Sequence, residues 1–173
     1  MKTKFGIVII LLVGWMFMPS LVSAGWFPQT SGTTRALHAV HFPVDDLTGY
    51  VVGDLGTILK TTNGGTNWVS QTSGTTWTLS SVHFPMDAQT GYTVGDSGTI
   101  LKTTNGGVNW VSQTSGTTNP LYSVHFPVDA QIGYAVGDAG TILKTTNGGT
   151  NWVSRSSGTT NYLCSVHFPI DAQ

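Results

Sequence analysis

Four tryptophans, Trp26, Trp68, Trp110 and Trp152, stand 42 residues apart, and so do four histidines, His41, His83, His125 and His167, each inside the string Val-His-Phe-Pro. A spacing that never slips marks tandem duplication, and such a chain must bury itself by stacking one supersecondary unit on the next. Residues 69–110 and 111–152 agree at 34 of 42 positions, and 27–68 agrees with 111–152 at 31 of 42. The complete units are therefore 27–68, 69–110 and 111–152, followed by a partial unit, 153–173.

Inside a unit the apolar stretches are short, rich in β-branched and aromatic residues, and closed by turn residues, which is the pattern of strands. In the third unit the strands are expected at Leu121–Phe126, Gly133–Val136, Thr141–Thr146 and Trp152–Arg155. Four strands in about 40–45 residues is the spacing of a propeller blade. Asn147-Gly148-Gly149 supplies a hairpin turn, because Asn and Gly tolerate positive φ, and Gly137-Asp138-Ala139-Gly140 links the second strand to the third. The fold class predicted is all-β, a β-propeller of four-stranded blades with three full units and half of a fourth.

The first segment reads as an address. Lys2 and Lys4 precede a 14-residue apolar run, Phe5 to Met18, and Val22 and Ala24 occupy the small-residue positions of a cleavage site. This predicts a signal peptide over residues 1–24, cleaved after Ala24. Export to the periplasm or the extracellular space follows, and membrane contact is expected only through an uncleaved leader. The run is short for a hydrocarbon core of about 30 Å.

Composition narrows the chemistry. The chain holds 8 acidic residues, all Asp, against 7 Lys+Arg, and only 9% of it is charged. Nucleic acid is not an expected partner, since no basic field is present to meet phosphates. A single cysteine, Cys164, and the lack of a Cys/His cluster at zinc spacing leave no metal or cofactor predicted.

The string Thr61-Thr62-Asn63-Gly64-Gly65-Thr66-Asn67-Trp68 recurs at 103–110 and 145–152. It resembles the Asp-box of bacterial neuraminidase-type repeats, with Asn63, Asn105 and Asn147 where that pattern has Asp. The wider unit, with its Val-Gly-Asp-x-Gly-Thr-Ile-Leu-Lys-Thr core, is similar to the repeat of the photosystem II stability and assembly factor family. That resemblance covers residues 26–173 and implies a secreted or lumenal propeller that binds partner proteins without catalysis. The Asp-box residues Thr61, Asn63, Gly65, Trp68, Thr103, Asn105, Gly107, Trp110, Thr145, Asn147, Gly149 and Trp152 are assigned to turn formation, because side-chain bonds to backbone, glycine turns and a packed indole account for each of them.

Three further sets recur once per unit. Asp54, Asp96 and Asp138 are read as side-chain caps of the Gly-Asp-x-Gly turns. Lys60, Lys102 and Lys144 are read as strand residues with solvated heads. The histidines are read as hydrogen-bonded to neighbouring carbonyls, with a metal ring disfavoured because first strands of different blades are expected to stand well apart. Acid–base catalysis needs like groups in unlike surroundings, which near-identical units do not offer, so no catalytic residue is predicted.

The positions that vary between units carry the binding expectation. Arg35, Trp77, Asn119 and Asn161 are equivalent, as are Ala36, Thr78, Pro120 and Tyr162, and His38, Ser80, Tyr122 and Cys164. A repeat protein varies its binding face over a fixed scaffold, so Arg35, Trp77, Asn119, Tyr122, Asn161 and Tyr162 are the candidate binding residues on one rim. A protein partner is expected, with an Asp-box glycan-binding or glycosidase-related module as the alternative. Three and a half units do not close a propeller, which typically has about 4–8 blades. The sequence is therefore read as a piece of a longer protein, or, if complete, as an oligomer or self-associating surface repeat.

Overall fold

The computed structural model describes residues 28–169, so the leader assigned to residues 1–24 lies outside the described residues. Three four-stranded antiparallel sheets follow one another, each a meander in chain order. Blade 1 holds β1 (Leu37–His41), β2 (Gly49–Gly53), β3 (Thr57–Thr61) and β4 (Val69–Gln71). Blade 2 holds β5 (Leu79–His83), β6 (Gly91–Gly95), β7 (Ile100–Thr103) and β8 (Val111–Ser112). Blade 3 holds β9 (Leu121–His125), β10 (Gly133–Gly137), β11 (Ile142–Thr145) and β12 (Val153–Arg155). This is an incomplete β-propeller, and its strands lie where the repeat predicts them.

The second strand of each blade explains why a blade cannot stand alone. Every residue of β2 and β6 is buried, and a strand buried on both faces reads as a continuous apolar run. Two core clusters result, each spanning a seam. Tyr50, Val52 and Ile58 of blade 1 join Leu79, Val82 and Phe84 of blade 2, and Tyr92, Val94 and Ile100 join Leu121, Val124 and Phe126 one unit later. Val40, which has no preceding blade against it among the described residues, is 61% exposed against 6% for Val82 and 4% for Val124.

The seam is specific as well as apolar. The Tyr50 ring stacks on Phe84 with centroids 4.0 Å apart, and its hydroxyl donates to the Ala88 and Gly106 carbonyls of the next unit at 2.8 and 3.1 Å. Lys60 Nζ donates to the same Gly106 carbonyl at 2.8 Å and lies 5.4 Å from the Tyr50 centroid. One unit on, Tyr92 and Lys102 repeat the arrangement against Gly148. The expectation of solvated lysine heads is therefore corrected. Lys60 and Lys102 are joints between blades, and burial lowers the Lys102 ammonium from its ordinary value.

The Asp-box loop is the receiving half of that joint. Thr61 Oγ1 accepts from Gly65 N–H at 2.9 Å and donates to Asn63 Oδ1 at 3.0 Å, while Asn63 Oδ1 also accepts from Asn67 N–H at 2.9 Å. The sets on Thr103 with Asn105 and on Thr145 with Asn147 are the same. Gly107, at φ 85, brings its backbone against Tyr50 Cε1, Gln71 Oε1 and the Trp110 indole, where a Cβ would lie within 3.4 Å of each. Trp68, Trp110 and Trp152 meet Phe42, Phe84 and Phe126 edge to face at 6.3, 6.1 and 6.1 Å.

The histidines form a ladder. Ring centroids of His41, His83, His125 and His167 follow at 5.0, 4.7 and 4.8 Å. The expectation that inner strands keep them well apart is wrong, because the first strands converge toward the propeller axis and bring equivalent residues closest there. Nε2 of His41 and of His83 lies 3.2 Å from the Phe84 and Phe126 carbonyls of the following unit. A carbonyl only accepts, so Nε2 carries the hydrogen in both. Among the described residues no group of three His, Cys, Asp or Glu is arranged to hold a metal ion.

Candidate binding rim

Each inner strand begins with a β-bulge. Leu37 pairs with Gly53 and Ala39 with Val52, which leaves His38 as the extra residue. The same shift leaves out Ser80 in blade 2 and Tyr122 in blade 3. A bulge re-aims one side chain and breaks the ladder locally, and these three residues are one of the variable sets. The glycine facing each bulge has no room for a side chain: a Cβ on Gly53, Gly95 or Gly137 would stand about 2 Å from the carbonyl of Ala36, Thr78 or Pro120.

The turn after each second strand is clamped by backbone from two units. Asp54 N–H donates to the Ala36 carbonyl at 3.0 Å and Gly56 N–H to the Trp77 carbonyl at 2.9 Å. In blade 3, Asp138 and Gly140 donate in the same way to Pro120 and Asn161. Leu55, Ser97 and Ala139 sit in the left-handed region at φ 53, 56 and 51. Asp138 Oδ1 accepts from the Ala139 N–H inside its own turn, so the expected side-chain cap is present in blade 3, while the backbone clamp at the aspartate N–H is common to all three turns. The Asp54 carboxylate is instead 2.7 Å from His38 Nε2, and Asp45, Asp87 and Asp129 cap loops, each accepting two backbone N–H groups.

Between these turns and the Ser-Gly-Thr-Thr segments that cross from one blade to the next run open grooves. Two of them, of about 860 and 990 Å³, share Trp77 as the ridge between them. Trp77 is 53% exposed, although its backbone N–H and carbonyl are both bonded, to Thr75 Oγ1 and Gly56 N–H. Its equivalents use the position differently. Arg35 Nη1 reaches the Leu55 carbonyl and Thr57 Oγ1, both at 3.3 Å, and Asn119 Nδ2 donates to Thr141 Oγ1 at 2.9 Å. Asn161 is exposed, with its carbonyl on Gly140. Tyr122 and Tyr162 meet edge to face at 6.2 Å. The six candidate residues thus share one rim, but Arg35 and Asn119 also tie down their own blades. The rim was hidden from sequence reasoning in one respect: nothing in the strand pattern announces the bulge.

The family model of the photosynthesis system II assembly factor YCF48 matches residues 18–114. The chain belongs to the YCF48 family. A solved structure of YCF48 bound to D1 peptide superposes with a TM-score of 0.65 at 23% identity, covering 75% of this chain and 42% of that one. YCF48 from Cyanidioschyzon merolae gives 0.62 at 24%, over 73% and 42%. An ancestral GH74 enzyme gives 0.55 at 25%, over 67% of this chain and 18% of the enzyme. The chain spans about two-fifths of the YCF48 chains it matches. No curated protein sequence matches it.

Proposed function

We propose that this chain is an exported, non-catalytic propeller scaffold that captures a segment of a protein partner on the bulge-bearing rim. The observation that carries the reading is Trp77, a half-exposed indole on a clamped backbone between two grooves, in a family where a YCF48 relative is seen with a D1 peptide. Exposed aromatics on rigid backbone lose little entropy on contact and dominate binding energetics. Against catalysis stand the repeated, near-identical hydrogen-bond sets of Asp45, Asp87 and Asp129, which offer no pair of unlike carboxylates.

A D1 peptide is the first probe. Trp77→Ala should weaken its capture roughly thirty-fold, an effect of about 2 kcal/mol, while leaving stability within about 0.5 kcal/mol of the parent chain. Equal affinity in the variant, measured by calorimetry, would remove the rim from the reading. A glycan is the second reading, favoured by the hydroxyl-rich lining that Ser73, Thr75, Thr99, Ser115 and Thr117 give the larger groove, and retention on a glycan array separates the two. Export rests on the leader at residues 1–24. N-terminal sequencing of the secreted product should begin at Gly25, and a product that keeps Met1 would count against export by this route.

A further inference from the structure

The third seam differs from the other two. The bulge residue of one unit and the residue immediately before the inner strand of the next, or its counterpart, stand 40 residues apart in sequence. These pairs are His38 with Thr78, Ser80 with Pro120, and Tyr122 with Tyr162. Only the last brings two aromatic rings together, with centroids 6.2 Å apart and planes at 85°. Two rings at a right angle at this separation are two walls of a box. Both walls are set by backbone contacts to blade 3: Tyr122 is the bulge residue opposite Gly137, and Tyr162 lies between Asn161, whose carbonyl accepts from Gly140, and Leu163, whose N–H donates to the Gly137 carbonyl at 3.0 Å.

We propose that Tyr122 and Tyr162 form an aromatic cage that takes a cationic side chain, Lys or its methylated forms, from the partner held on this rim. The π faces attract a cation within about 6 Å of a ring centroid. Point for point, the chain already uses this chemistry internally, with Lys60, Lys102 and Lys144 at 5.4, 5.4 and 5.3 Å from the Tyr50, Tyr92 and Tyr134 centroids. Among the described residues no lysine or arginine lies over Tyr122 or Tyr162. The Tyr162 side chain is open to solvent, the residue being 68% exposed. The Tyr122 hydroxyl is raised above its ordinary value by desolvation first and then by the charge of Asp138, with Asp96 adding in the same sense, and the two carboxylates are the part of that environment that attracts a cation. A field that disfavours a phenolate favours an ammonium, and the overall charge of −1 does not oppose one.

The inference rests on the rim reading, and its test separates the two. The full chain is titrated with Nα-acetyl-lysine methylamide, its trimethyl-lysine analogue and the neutral Nα-acetyl-norleucine methylamide, following tyrosine ring resonances by NMR. Saturable shifts of Tyr122 and Tyr162 are expected with the two cations, with norleucine binding about tenfold more weakly. Tyr162→Ala should abolish the response and Tyr162→Phe should retain it, since the ring and not the hydroxyl holds the cation. Equal shifts with norleucine, or none with any probe, overturn the cage. Loss of peptide capture in Trp77→Ala without a cation response overturns the cage alone. A cation response with capture unchanged in Trp77→Ala overturns the rim reading and keeps the cage.

Discussion

Tyr92→Ala should remove about 3–5 kcal/mol of stability, a large share of the roughly 5–15 kcal/mol that holds a folded domain. Tyr92 is fully buried, stacks on Phe126 at 3.9 Å, lies under Lys102 at 5.4 Å and donates to the Ala130 and Gly148 carbonyls. Truncation to Ala opens a cavity in the middle of the second seam and leaves the Ala130 and Gly148 carbonyls with one donor fewer. Tyr92→Phe separates the two contributions. It keeps the ring on Phe126 and should cost only about 1 kcal/mol, the net worth of one hydrogen bond. Urea denaturation followed by circular dichroism and tryptophan fluorescence checks both values. Trp152 packs edge to face on Phe126, so its emission reports on this seam directly. A loss below about 1 kcal/mol for the Ala variant would mean that the seam does not couple the blades.

The histidine ladder makes stability depend on acidity. Burial first, and then the charges of His41 and His125, push His83 from 6.5 down to about 4, and burial lowers His41 and His125 as well. The folded chain therefore holds neutral imidazoles where the unfolded chain would take up protons. Below pH 6.5 the unfolded state binds more protons, so stability is fully present above the unfolded value and falls as pH drops toward 4. The slope from His83 alone approaches 1.4 kcal/mol per pH unit, and its whole effect is on the order of 3 kcal/mol. His41 and His125 add to it with the same sign. Melting should therefore shift downward between about pH 7 and 5, above the range where ordinary carboxylates titrate. His83→Gln should flatten that dependence. A melting temperature that stays level over this interval would contradict a neutral ladder.

Much of the fold is written in the repeat. In the third unit the expected strands differ from β9 to β12 by one residue or so at their ends, because alternation, β-branched runs and Asn-Gly turns are local signals. What the sequence could not display is which unit a side chain serves. Tyr50 and Lys60 look like ordinary strand residues, and only the neighbouring Gly106 carbonyl shows why they recur. The Gly-Asp-x-Gly turns mislead for a related reason. Aspartate invites a side-chain cap, which Asp138 makes to Ala139 N–H, while the first turn is clamped by the carbonyls of Ala36 and Trp77, which carry no side-chain signature. The rim residues were legible as variable positions, but Tyr122 as a bulge residue and its meeting with Tyr162 depend on register and on the next unit's path.

The seam also governs how such an array can change in length over evolution. Each unit offers tyrosine and lysine on one side and glycine carbonyls with phenylalanine on the other, so every joint is read by an identical neighbour. A point substitution at a joint meets an unchanged partner and is penalised at once, whereas insertion or deletion of a whole 42-residue module leaves every remaining joint satisfied. Recombination between modules is thus the cheap route of change, and it copies the scaffold faithfully while carrying along whatever stands at the bulge. Diversity in such a gene should collect at residues such as Trp77, Tyr122 and Tyr162, and gains or losses of length should come in multiples of the module.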